Sequence, residues 1–146
     1  MIKASQSISG EILLPNLQQT LIRILIEAAG AQKGCLLRSR GGDLHMEIKA
    51  SLDEGGRDVR VLEADVALSA APLPASILNY VKRTRELVIL DDAAKEARFA
   101  ADPYIAAEGP RSILCLPLLR QAELVGLLYL ENNMAAGAFT PDRVEI

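Results

Sequence analysis

Ser112-Ile113-Leu114-Cys115-Leu116-Pro117-Leu118-Leu119 is followed, after Arg120-Gln121-Ala122-Glu123, by Leu124-Val125-Gly126-Leu127-Leu128-Tyr129-Leu130. Two apolar runs of strand length joined by so short a link predict an antiparallel hairpin. Neither run alternates between apolar and polar residues, so both of its faces are covered. Such a hairpin lies centrally in a sheet, with helices on one face and either helices or a long covering loop on the other. Pro117 has no amide hydrogen to give to a ladder, which predicts a bulge or a local gap in pairing there.

Working outward, a second hairpin is predicted on either side of Arg40-Gly41-Gly42-Asp43, with strands over Cys35 to Ser39 and Leu44 to Ser51. In the latter, Leu44, Met46, Ile48 and Ala50 alternate with His45, Glu47 and Lys49, so one face is expected to be buried and the other, with His45, wet. Val59, Val61, Ala64 and Val66 read as a further short strand, and Leu87 to Leu90 as a buried one ending at Asp91-Asp92. Pro15 to Ala29 has helical periodicity, its apolar stripe drawn by Leu17, Leu21, Ile22, Ile24, Leu25 and Ala28, with Gln18, Gln19, Arg23 and Glu27 opposite. Pro74 to Arg85 reads as a second helix through Ile77, Leu78 and Val81. Between Ala93 and Pro110 the pattern is irregular and predicts a short helix or a lid-like loop. Hairpins with helices at the start, middle and end make an α+β fold.

Composition bounds the function. A chain of 146 residues, 50% hydrophobic, fits one domain with one core. Sixteen basic against nineteen acidic residues give a net charge of −3, which disfavours a phosphate backbone as partner, so no nucleic acid is expected. The longest apolar run falls short of a bilayer span and no signal segment is read, so the expectation is a cytoplasmic protein without membrane insertion. Cys35 and Cys115 sit in apolar runs and read as small hydrophobes. Gly41-Gly42 and Gly55-Gly56 lack the residues that would cradle phosphates, and one His with two separated Cys makes no metal spacing, so no cofactor and no metal are expected. At the ends, Ile2 to Ser9 read as a weak helical turn broken at Gly10, a connector over residues 1–11. Thr140-Pro141 start a helix that the chain is expected to stop inside.

Pro110 to Leu118, Leu124 to Asn133 and Ala138 to Asp142 together resemble the C-terminal half of a GAF domain, and the likeness extends upstream through Asp102 to Ile105, Leu90 to Ala93 and Pro74 to Val81, and to Lys3 to Glu11. The chain is similar to GAF domains of large bacterial multi-sensor hybrid histidine kinases, in which a protein-kinase-like and an AAA-type ATPase region precede the GAF domain and a histidine kinase follows. The resemblance implies a PAS-related, central six-stranded antiparallel sheet over residues 12–146, helices on one face and a loop-covered pocket on the other. It also implies a homodimer formed through the entering and leaving helices, neighbouring kinase domains as partners, and an unknown small molecule as ligand. Bilin and cyclic-nucleotide ligands do not carry over. A thiol enzyme acting through Cys35 or Cys115 remains the third reading, after a sensor and a ligand-free dimerisation spacer.

Asp91, Phe99, Tyr104 and Arg111 fall where GAF domains place their lid, and Tyr129 on a central strand could offer its hydroxyl to a bound molecule. These five are the candidate ligand-binding residues. Each also has a plainer reading as a cap, turn former or packing residue.

Overall fold

The computed structural model describes residues 2–3, 15–53, 55–134, 137–139 and 144–145. Among these described residues eight strands and three α-helices follow one another: β1 (Ile2–Lys3), α1 (Pro15–Ala29), β2 (Lys33–Arg40), β3 (Asp43–Leu52), β4 (Val59–Ala67), α2 (Ala75–Thr84), β5 (Val88–Leu90), α3 (Pro103–Glu108), β6 (Ser112–Arg120), β7 (Glu123–Asn132) and β8 (Val144–Glu145). Six of the strands form one sheet in the order β4-β3-β2-β7-β6-β5, antiparallel throughout. The apolar hairpin β6–β7 is internal, as its two-sided apolar pattern requires.

The sheet separates two cores. On one face α1 lays Ile22, Leu25 and Ile26 against Leu36, Leu114, Leu116, Leu128 and Leu130. On the other, α2 and α3 cover Leu37, Ile113, Leu127 and Tyr129 with Ile77, Leu78, Val81 and Ile105. Helices therefore stand on both faces, the longest on one and two shorter ones among the covering loops on the other.

Three details differ from the sequence reading. The alternation along β3 is broken by a bulge at Glu47, because Leu37 pairs with Met46 and Leu36 with Ile48. The bulge turns the strand over, so Leu44 and Met46 join the α2 side while Ile48 and Ala50 join the α1 side. His45 is 27% exposed, with Nδ1 3.6 Å from Asp65. Within α1, Ile24 is half-exposed and Gln18 buried, the reverse of expectation, since Gln18 reaches the side chain of Glu47 at 3.5 Å. The irregularity expected at Pro117 falls one residue on, between Leu118 and Leu119. Pro117 itself is tolerated because the ladder to β5 ends at Cys115, leaving a partner on one side only.

At the chain ends Ile2 pairs in parallel with Val144, and Lys3 with Glu145. These four residues were read as helical, and as strands they satisfy one another's backbone groups. Residues 4–14 and 140–143, which carry the remainder of the connector and of the C-terminal helix start, lie outside the described residues.

Candidate functional site

Side chains at alternate positions of a strand share a face, and in β7 that rule sets Tyr129 beside Glu131 on the α2 and α3 side. Across the ladders Cys35 and Cys115 flank Tyr129, while Lys33 and Ile113 flank Glu131. The Glu131 carboxylate lies in this row with only 1% of the residue exposed. Such a group needs partners.

Its partners are two phenols. Tyr129 donates its hydroxyl to Glu131 Oε1 at 2.9 Å, and Tyr104 donates to the same oxygen at 2.5 Å. Tyr104 is delivered by α3, whose first turn is fixed by Asp102: the carboxylate of this capping residue accepts from the Tyr104 amide at 2.8 Å, and Pro103 supplies the preset φ of the first helical position. Asp102 also accepts from the Ser76 amide at 2.9 Å and from the Ser76 hydroxyl, tying α3 to the start of α2. Burial, then the hydrogen bond and charge of Glu131, push the Tyr104 hydroxyl well above the usual phenol range. Burial likewise raises Tyr129, with the Glu131 charge next.

Glu131 Oε2 has no hydrogen-bond partner. Beside it lies a cavity of about 240 Å3, lined by Tyr104, Tyr129, Glu131 and Cys35, with Met46 and Leu73 as apolar wall and the exposed Lys33, Lys49 and Glu108 at its mouth. Wider hollows at Asp53 and at His45 hold no buried carboxylate among their lining residues.

Of the five residues singled out by sequence, Tyr104 and Tyr129 meet at this cavity, and the other three do not line it. Phe99 is buried against Tyr80, ring centroids 5.7 Å apart. Asp91 is exposed, and its carbonyl accepts from the Gly137 amide at 2.9 Å. Arg111 is exposed, with its backbone joining Asn132 at 3.2 Å and Ala93 at 2.7 Å. Glu131 was not among the candidates. Its signal is a lone acid two residues after a central-strand tyrosine, hence on the same buried face.

The two residues after Glu131 leave the cavity and brace the opposite core. Asn132 Nδ2 donates to the Gly30 carbonyl just beyond α1 at 2.9 Å, and the Asn133 amide donates to Gln32 Oε1 at 2.6 Å.

Neither thiol is prepared for chemistry. Burial, helped by the Glu131 charge and opposed by Lys49 and Lys33, pushes Cys35 up to about 12, and burial alone raises Cys115. A thiolate is the reactive form, so both are held inert near neutrality. Stability should record this at high pH. Below 9.0, the ordinary thiol value, folded and unfolded chains both keep the proton. Between 9.0 and about 12 the unfolded chain releases it and the folded chain does not. Unfolding is then favoured by about 1.4 kcal/mol per pH unit for each thiol. Urea midpoints measured through this window should fall more steeply for the native chain than for Cys115→Ala, by about one proton's worth. Parallel profiles would refute the assignment.

Among the described residues no group of three or more His, Cys, Asp and Glu side chains could hold a metal ion, and no helix is long and apolar enough to cross a membrane.

Comparison with known proteins places this architecture. The family model described as GAF domain matches residues 14–146. The chain is 44% identical over 71 residues to hybrid signal transduction histidine kinase G of Dictyostelium discoideum, a stretch that is 49% of this chain and 2% of that kinase. The GAF domain of a phosphoenolpyruvate-protein phosphotransferase from Acinetobacter is similar in structure, with a TM-score of 0.62 at 18% identity over 94% of this chain and 80% of that one. A type II free methionine-R-sulfoxide reductase from Thermoplasma acidophilum superposes with a TM-score of 0.57 at 15% identity, over 94% of this chain and 83% of that one. With nearly its whole length matched, this chain belongs to the GAF domain family.

Proposed function

We propose that this domain is a non-catalytic sensor that binds a small molecule in the cavity beneath α3 and passes the event to a histidine kinase elsewhere in the same protein, as a cytoplasmic homodimer. The observation that carries the reading is the meeting of Tyr104, Tyr129 and Glu131 in the lining of one cavity, with both phenols bonded to the buried carboxylate. Likeness to a hybrid histidine kinase over half of the chain supports the kinase as output. The thiols, both protonated and buried, do not favour an enzyme like the sulfoxide reductase relative.

A route for the signal exists in the covalent sequence. Glu131 faces the cavity, and the next residue holds the end of α1 through Gly30. A ligand that moved Glu131 would shift β7 and so the seat of α1. It would act as a switch only by contacting one arrangement better than the other, since equal affinity for both shifts nothing.

A second reading, a ligand-free dimerisation spacer, is favoured by the exposed Ile24 on α1 and Leu62 on β4. Native mass spectrometry of the purified domain, followed by denaturation, separates the two. The sensor predicts a released small molecule that Tyr104→Phe or Tyr129→Phe depletes. Added back at a hundredfold over its Kd, it should stabilise the domain by about 2.7 kcal/mol, on the order of 5–10 °C in Tm. An empty dimer that no metabolite stabilises would leave the spacer.

A further inference from the structure

We propose that α3 is a hinged cover of the cavity, latched by the hydrogen bond from Tyr104 to Glu131, and that its opening, ahead of any unfolding of the sheet, is the way in for a small molecule. The inference goes beyond the sensory reading, because the opening is measurable without a ligand. It starts from how little holds α3 down. A helix of six residues does not stand unaided. Of these six, Ile105 alone is buried, Tyr104 is half-buried and the other four are exposed. A segment with so few buried apolar contacts opens at lower cost than the core beneath it.

The chain on either side is held in place. Before α3, Phe99 is buried against Tyr80, and the Asp102 carboxylate accepts from the Ser76 amide at 2.9 Å. After it, the Arg111 amide donates to the Asn132 carbonyl of β7 at 3.2 Å, and the Arg111 carbonyl accepts from the Ala93 amide at 2.7 Å. The joint at the end of the helix is Gly109, left-handed at φ 58°, a conformation that glycine enters and leaves without strain. A Cβ there would meet nothing within 4 Å, so no neighbour obstructs the joint. Tyr104 is the catch. Its hydroxyl reaches from α3 to Glu131 Oε1 at 2.5 Å, and among the described residues it is the one side-chain hydrogen bond from this helix to the sheet. Cys35, Met46, Leu73 and Tyr129 share the cavity lining with Tyr104, and Cys35 is 8% exposed while the catch is made.

The two thiols turn the proposal into a measurement. Cys115 is fully buried and does not line the cavity, so lifting α3 bares Cys35 alone, whereas global unfolding bares both. Labelling of the intact domain by methyl methanethiosulfonate at a fixed, mildly alkaline pH is read thiol by thiol by mass spectrometry after digestion, and normalised to the rates in strong urea. Cys35 is expected to label at least about tenfold faster than Cys115, at a rate that low urea leaves unchanged while that of Cys115 climbs. Ile22→Val, in the core on the opposite face, should raise the Cys115 rate several-fold without raising that of Cys35. Tyr104→Phe, which removes one hydrogen bond and keeps the ring, should raise the Cys35 rate by about five- to tenfold. Equal labelling of the two thiols, both rising with urea, would show that the cavity opens only when the sheet unfolds and would overturn the cover. Fast labelling of Cys35 that Tyr104→Phe left unaltered would overturn the catch, and the proposal with it. The sensory reading would survive either result, because the native mass spectrum tests it separately.

Discussion

Gly126→Ala is expected to remove about 3 kcal/mol or more of folding stability, on the order of a 10 °C drop in Tm. Gly126 lies in β7 opposite Arg38 of β2, at the join between the two halves of the sheet. A Cβ there would stand 2.3 Å from the carbonyl oxygen of Leu37 and 3.4 Å from its carbon. Both atoms are backbone in a paired central strand, so relief requires the β2–β7 ladder itself to open. Gly34 is the control. Its added Cβ would meet Leu130 Cδ2 at 2.8 Å and Ile26 Cδ1 at 3.2 Å, the ends of side chains that can rotate away. Gly34→Ala should cost about 1 kcal/mol or less, since rotamer adjustment is the main expense. Urea denaturation of both variants decides the matter. Losses of equal size would mean that the central ladder is more pliable than its two internal strands suggest.

That contrast marks the boundary of what could be read ahead of the structure. The β6–β7 hairpin was legible because two-sided apolar runs have few other places to go in a sheet, and α1 and α2 were legible from period alone. The bulge at Glu47 was not. A period-2 pattern continues through Leu44, Met46, Ile48 and Ala50 whether or not the strand turns over, and the turn is set by the pairing of β2 with β3. The candidate site was legible in part for a similar reason. Tyr104 and Tyr129 stand out as aromatic residues with a polar end, and both arrive at the cavity. Glu131 closes an apolar strand, where a charged residue ordinarily marks the return to solvent. Only the three-dimensional arrangement, with α3 laid over it, turns this carboxylate into a buried centre. Phe99 and Arg111 were placed near the lid by position in the chain, and local packing takes them elsewhere.

Asp102→Ala should destabilise the domain by about 2–4 kcal/mol and disorganise the cavity as well. The sequence reading placed Asp102-Pro103 in an irregular stretch expected to be a short helix or a lid-like loop. In the structure the Asp102 carboxylate is buried at 7% exposure and holds two helix starts at once, accepting from the Tyr104 amide, the Ser76 amide and the Ser76 hydroxyl. Alanine would strip these donors of their acceptor in a part-buried place, which costs more than a single exposed cap. Ser76→Ala removes only the hydroxyl contact and should cost about 1 kcal/mol. Because the two residues share a bond, the double variant should cost less than the sum, by at least about 0.5 kcal/mol. The functional consequence follows from the same carboxylate. Tyr104 reaches Glu131 only because α3 begins where Asp102 caps it, so loss of the cap frees Tyr104 and removes one of the two hydroxyls from Glu131 Oε1. Binding of a small molecule in the cavity should then weaken in Asp102→Ala while Ser76→Ala retains it, with Asp102→Asn between them because an amide oxygen can still accept. Full retention of binding in Asp102→Ala would separate the cap from the cavity and leave Asp102 a purely structural tie.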